Sequence, residues 1–124
     1  IANWQGDLLF LFLMDSIRQQ KISRLLQKEI GAIFTMQEVN ISGGTMISVT
    51  QVRVTSDLGI ARIYVSIFPA ENREEIVARI NEQAGEIRFV LGKKVGQQLR
   101  HVPDLHFYLD DSFDYAETID QLLR

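Results

Sequence analysis

The sequence predicts an α+β domain with the order α-β-β-α-α-β, a three-stranded mixed sheet and a short C-terminal helix. Three observations carry this reading. Apolar residues recur at helical spacing through residues 15–34, then two alternating runs flank the turn signal Ser56-Asp57-Leu58-Gly59. Two helical runs separated by a glycine follow, and after Pro103 comes a third alternating run, Leu105–Leu109.

The first helix is expected to be capped by Asp15 or Ser16 and to run to about Phe34. Ile22, Leu25, Leu26, Ile30, Ile33 and Phe34 fall on one side of it, and Lys21, Arg24 and Lys28 on the other. Residues 1–13, IANWQGDLLFLFL, share no clear amphipathic phase with this helix. They are expected to be an extension that is not native, upstream of a natural start at Met14, with residues 14–124 as a single domain. The alternative is a genuine N-terminal segment packing on the core. Gln37–Thr45 is read as a loop punctuated by Gly43-Gly44.

In the first strand Ile47 and Val49 alternate in one phase, and Val52 and Val54 in the other. A phase shift of this kind near Thr50-Gln51 predicts a bulge. Ala61, Ile63, Val65 and Ile67 then alternate without interruption to Phe68-Pro69. Glu74–Ala84 is expected to be helical with Ile76, Val77 and Ile80 inward. Gly85 interrupts, and Glu86–Val95 resumes with Ile87, Val90, Leu91 and Val95. Two helices between the second and third strands permit a parallel crossover. Asp110-Asp111-Ser112 stop the third strand and can cap a last helix, Phe113–Arg124.

The 124 residues suit one domain, and 46% hydrophobic content suffices for a small core. With no cysteine there is neither a disulfide framework nor a thiolate metal site. The longest apolar run, Leu8–Met14, is too short to span a bilayer. Formal net charge is −3, but it is unevenly spread: residues 16–102 carry a net +4 and residues 103–124 a net −5. A basic body with an acidic end offers a polyanion a local field that the total conceals.

Two basic groups stand out. One is the first-helix stripe of Arg18, Lys21, Arg24 and Lys28; the other is Arg88, Lys93, Lys94 and Arg100 around the 85–100 helix. Either group alone usually marks a solvated helix face; together, on one surface, they would meet phosphates along an RNA backbone. Gln83-Ala84-Gly85 reads as a kink between helices, or equally as a helix end followed by a new start. Asp110, Asp111 and Asp114 with His101 or His106 could form a metal or acid–base cluster, but capping accounts for the acids, and the histidines are expected to be structural. Alternation makes Phe107 a core residue and Tyr108 an exposed candidate for base stacking. Gly92-Lys93-Lys94 lacks the glycine spacing and the Ser/Thr of a phosphate-binding P-loop. No Gly-x-Ser-x-Gly, His-Glu-x-x-His or Rossmann pattern occurs.

Residues 16–30, SIRQQKISRLLQKEI, resemble the opening of ribosome-binding factor A. So do residues 47–58, ISVTQVRVTSDL, and 65–69, VSIFP. Ile87-Arg88 with Leu91-Gly92-Lys93, Leu99–Leu105, and Asp110-Asp111-Ser112 with Asp114-Tyr115 continue the likeness in collinear order from about Met14 to Arg124. The resemblance implies a type II KH-like fold. In that family an Ala-x-Gly kink replaces the usual Gly-x-x-Gly loop; the triplet here is Gln83-Ala84-Gly85, with the glycine kept and the alanine displaced. It further implies a non-enzymatic cytoplasmic factor, monomeric and without cofactor, metal, membrane or small-molecule substrate. Such a factor binds the 30S ribosomal subunit and its 16S rRNA, supports 5′-end processing and serves cold adaptation. The competing expectation is a protein-interaction module, acting as a homodimer or adaptor through the N-terminal extension or an edge strand.

Overall fold

The structure, a computed structural model, describes residues 4–41, 45–68 and 71–110. Helix α1 spans Trp4–Thr35, strand β1 Met46–Val54, strand β2 Ile60–Phe68, helix α2 Arg73–Glu82, helix α3 Ala84–Val95 and strand β3 Asp104–Leu109. The expected order and the three-stranded mixed sheet are both present. The expected helix over 113–124 and its cap at Asp111-Ser112 lie outside the described residues.

Helix α1 corrects one expectation. It does not start at Asp15 or Ser16 but eleven or more residues earlier, so both potential caps are helix-interior positions. Residues 7–30 hold no glycine or proline. Extending a formed helix through two weak helix formers costs less than nucleating a new one. At its other end Glu38 N–H donates to Ile33 O and Gln37 N–H to Phe34 O, with Gln37 left-handed at φ 53°. This is a Schellman closure with glutamine in the place glycine usually takes.

β1 and β2 form an antiparallel hairpin whose register slips between Val49 and Gln51, where the phase shift predicted a bulge. The turn is held by its own polar groups. Asp57 Oδ1 accepts from the Thr55 hydroxyl at 2.6 Å and from Gly59 N–H at 3.0 Å. Those bonds, that from Thr55 foremost, favour the carboxylate and hold Asp57 below its ordinary value of 3.8. Leu58 takes the left-handed conformation, φ 60°.

The α2–α3 pair carries the chain from β2 to β3, which pair in parallel from Ile60↔Asp104 to Val65↔Leu109. The sheet order is β1-β2-β3. One face of the sheet is closed by the helices. Ala61, Ile63, Val65 and Ile67 of β2 meet Leu26, Ile30, Ile33, Ile80, Ile87, Leu91 and Val95, all buried as their periodicity required. Phe107 joins them, edge-on to Phe34 at 6.0 Å.

Side-chain amides tie the helices to the edge strands. Gln19 donates to Val54 O at 2.9 Å, and Gln27 reaches the Val49 and Thr50 carbonyls at 3.4 and 3.5 Å. On the opposite edge, Asn81 of α2 takes the place of a neighbouring strand: its Oδ1 accepts from Phe107 N–H at 2.8 Å and its Nδ2 donates to Phe107 O at 2.9 Å. Asn81→Ala would strip both partners from a partly buried peptide. It is expected to lower the unfolding free energy in urea by about 2 kcal/mol. A variant within about 0.5 kcal/mol of the parent would show that water replaces the amide without loss.

Candidate nucleic-acid interface

The second basic group surrounds a groove of about 520 Å³ between α3 and the segment leading to β3. Gly85, Arg88, Phe89, Gly92 and Lys93 line its helical wall; Arg100, His101 and Val102 line the other. Helical spacing explains the first wall, since these residues fall three to four apart and off the buried phase of Ile87, Leu91 and Val95. The two glycines keep the helix backbone accessible along it. Among the described residues no carboxylate lines the groove. At Gly96, the residue after α3, the chain passes Gly92 O so closely that a Cβ there would lie 2.7 Å from it, which is why the position calls for glycine.

The four cations of this group divide by role. Lys93 Nζ stands over the Phe89 ring at 4.6 Å, and that ring is 65% exposed. Cation–π attraction thus orients Lys93 along the groove wall without neutralising it. Arg100 is exposed on the far wall. Arg88 is committed elsewhere: its guanidinium donates to Val102 O at 2.7 and 3.1 Å and to Pro103 O at 3.3 Å, with Asp104 at 3.7 Å. It ties the segment before β3 to α3 and so shapes the groove. Lys94 turns away from the groove to pair with Glu38 at 3.0 Å, joining α3 to the residues after α1. Of the four, Lys93 and Arg100 are the pair whose charge the groove presents.

The first basic group is exposed as expected: Arg18, Lys21, Arg24 and Lys28 all face outward on α1. Arg24 lines a second groove, also about 520 Å³, between α1 and β1. Ser16, Gln20, Ser23 and Gln27 continue its helical side and Thr50, Gln51 and Arg53 its strand side. The two grooves share no lining residue. Arg24 of the first group and Arg88, Lys93 and Arg100 of the second therefore line two separate grooves.

The interruption between α2 and α3 falls at Gln83, not at Gly85. Gln83 has φ −100° and ψ 12°, and its N–H is shared between Arg79 O and Ile80 O while its own carbonyl accepts from Ile87 N–H to begin α3. Its buried Oε1 has no hydrogen-bond partner among the described residues. Ala84 opens α3, and Gly85 sits in its first turn with nothing within 4 Å of where a Cβ would be. Gly85 thus contributes an open groove end; the bend belongs to Gln83.

Among the described residues no three acidic or histidine side chains gather as a metal site, though Asp111 and Asp114 lie outside them. The histidines are not buried: His101 lines the α3 groove and His106 is exposed on β3. Phe107 is buried and Tyr108 is 43% exposed, as their alternation required. Sequence reasoning passed over Phe89 and Arg53. The signal for Phe89 was present, an aromatic two residues out of the buried phase of its helix. No described helix is long and apolar enough to cross a membrane.

The ribosome-binding factor A family model matches residues 18–123. A ribosome-binding factor A from Christiangramia forsetii is 44% identical over 109 residues, covering 86% of this chain and 82% of that protein. The crystal structure of ribosome-binding factor A from Thermus thermophilus superposes with a TM-score of 0.61 at 19% identity, over 73% of this chain and 94% of its own. A second Thermus thermophilus structure, a homology model fitted into the cryo-EM map of a 30S complex with ribosome-binding factor A, gives 0.56 at 20% identity, over 70% and 89%. These likenesses share the α-β-β-α-α-β frame that builds the groove, and the chain belongs to the ribosome-binding factor A family.

Proposed function

We propose that this protein is a small ribosomal subunit (30S) assembly and maturation factor of the cytoplasm. In this reading it binds 16S rRNA as a monomer and supports 5′-end processing by holding the RNA, without catalysing a reaction. The observation that carries it is the α3 groove, where Lys93 and Arg100 line opposite walls beside an exposed aromatic ring, with no carboxylate among the described lining residues. Unneutralised cations at a concave surface attract phosphates, and an aromatic face accepts a base. Arg18, Lys21, Arg24 and Lys28 extend the contact along α1, and residues 14–124 form the RNA-binding unit. The relative fitted into a 30S complex supports the choice of partner. The competing reading, an adaptor that pairs through an edge strand, draws little support from β1, whose Val49, Thr50 and Val54 carbonyls already accept from α1 glutamines.

Co-sedimentation of the protein with 30S subunits across a salt series tests this. Phosphate-led binding through about six cations is expected to weaken roughly a thousandfold between about 50 and 200 mM monovalent salt. Affinity that stays level over that range would favour the adaptor. A strain lacking the protein is expected to accumulate 16S rRNA with an unprocessed 5′ end. Normal 5′ ends in that strain would remove the processing role.

A further inference from the structure

The face of the sheet away from the helices has no role in the grooves described above, apart from the edge residues of β1, and its side chains are unusual for a merely solvated surface. Cross-strand register places Arg53, Arg62 and His106 abreast on β1, β2 and β3. The next rung on the same face is Gln51, Tyr64 and Tyr108, with the two tyrosine rings 5.5 Å apart and inclined by 30°. Beyond them Met46 and Phe68 pair across the strands, 66% and 71% exposed.

Two features of the charged rung point to an anion. Cross-strand neighbours of like charge repel, so Arg53 beside Arg62 destabilises the empty sheet. Among the described residues neither arginine meets a carboxylate at ion-pair distance. Arg53 is instead steadied by a neutral group: with the Gln51 amide turned to bond, its oxygen accepts from Arg53 Nε at 2.9 Å and Nη2 at 3.1 Å. The carboxylates at the two ends of β3 are engaged elsewhere, Asp104 near Arg88 and Asp110 with the Thr50 hydroxyl. Beside this rung lies an exposed aromatic surface. A phosphate on the arginines would place the attached nucleoside over Tyr64 and Tyr108. A partner supplying carboxylates alone would make no use of the rings.

We infer that the sheet face turned away from the described helices, through Arg53, Arg62 and the Tyr64–Tyr108 pair, holds a short single-stranded segment of RNA. The inference rests on the RNA-binding reading above and deepens it with a second contact surface. Duplex RNA offers no base faces for the tyrosines, so this surface prefers unpaired nucleotides.

The test measures fluorescence anisotropy of labelled U8 and A8 oligoribonucleotides, with a duplex of equal length as control. Arg62→Glu, Tyr108→Ala and Tyr108→Phe are compared with the parent after thermal melts show each to be folded. Arg62→Glu and Tyr108→Ala are each expected to weaken single-strand binding roughly tenfold, with Tyr108→Phe within about twofold because the ring is kept. If Arg62→Glu weakens binding but Tyr108→Ala does not, the face is a charge surface suited to an acidic polypeptide, and the inference fails. If both are silent while Lys93→Glu with Arg100→Glu weakens binding, the sheet face is not an RNA surface and the proposed function stands. Octamer binding that depends on Arg62 and Tyr108, in a protein that does not co-sediment with 30S subunits, would keep this surface and overturn the proposed function.

Discussion

Reversing Lys93 and Arg100 together to glutamate is expected to weaken co-sedimentation with 30S subunits by about a hundredfold at about 150 mM salt, and to lower the slope of log affinity against log salt by about two. The expectation follows from the geometry of the α3 groove. Lys93 stands on the Phe89 ring and Arg100 on the facing wall, and among the described residues no carboxylate lines the space between them. Each reversal removes one phosphate contact and adds a repulsive charge at the same place. Lys94→Glu is the informative control, because Lys94 pairs with Glu38 outside the groove. It would set two carboxylates against each other and reduce stability slightly, while leaving affinity within about threefold of the parent. Equal losses from Lys94→Glu and from the double reversal would mean that general basicity, not the groove, governs binding. A folded double variant with unchanged affinity and slope would remove the groove from the mechanism.

The second large effect is on stability. Leu26→Ala is expected to lower the unfolding free energy by about 3 kcal/mol and the melting temperature by about 10 °C. Leu26 is fully buried at 0% exposure on the face of α1 that closes the sheet, within the cluster that includes Ile30, Ile63 and Leu91. Truncation leaves a void between α1 and the sheet, two rigid elements that cannot collapse into it. A folded variant keeps the outward cations of α1 and the α3 groove in place, so 30S binding measured well below the transition should be unaffected. A loss below about 1 kcal/mol in urea or thermal unfolding would show that α1 is loosely seated, and a parallel loss of binding by folded protein would show that α1 shapes the groove.

The apolar periods of the chain were enough to read the element order, the core and the bulge. Ile22, Leu26, Ile30 and Ile33 repeat every three to four residues; Ala61, Ile63, Val65 and Ile67 repeat every second one. Both patterns report which side of its own element a residue takes, and the buried set follows them except at Leu25, Val77 and Val90, which the fold leaves partly buried at the edge of the core. The phase change between Val49 and Val52 marked the register slip for the same reason. Boundaries were less legible. The cap residues Asp15 and Ser16 were absorbed into α1 because nothing before them breaks a helix. The bend fell at Gln83 because its backbone conformation, not the glycine two residues on, ends α2.

The candidate site was legible as charge but not as partnership. Arg88, Lys93, Lys94 and Arg100 look equivalent along the chain, yet Arg88 spends its donors on the Val102 and Pro103 carbonyls and Lys94 on Glu38, 56 residues away. Whether a cation is neutralised depends on what the fold brings within about 4 Å, and that is a property of three-dimensional packing rather than of local period. The same holds for the sheet face: alternation sends Arg53, Arg62 and His106 outward, but only the register between strands sets them side by side. The sequence by itself determined which face of each element turns inward and in what order the elements come, because that is decided within each helix and strand. The tertiary structure alone decided which cations remain to meet a phosphate, because that depends on contacts between elements distant in the chain.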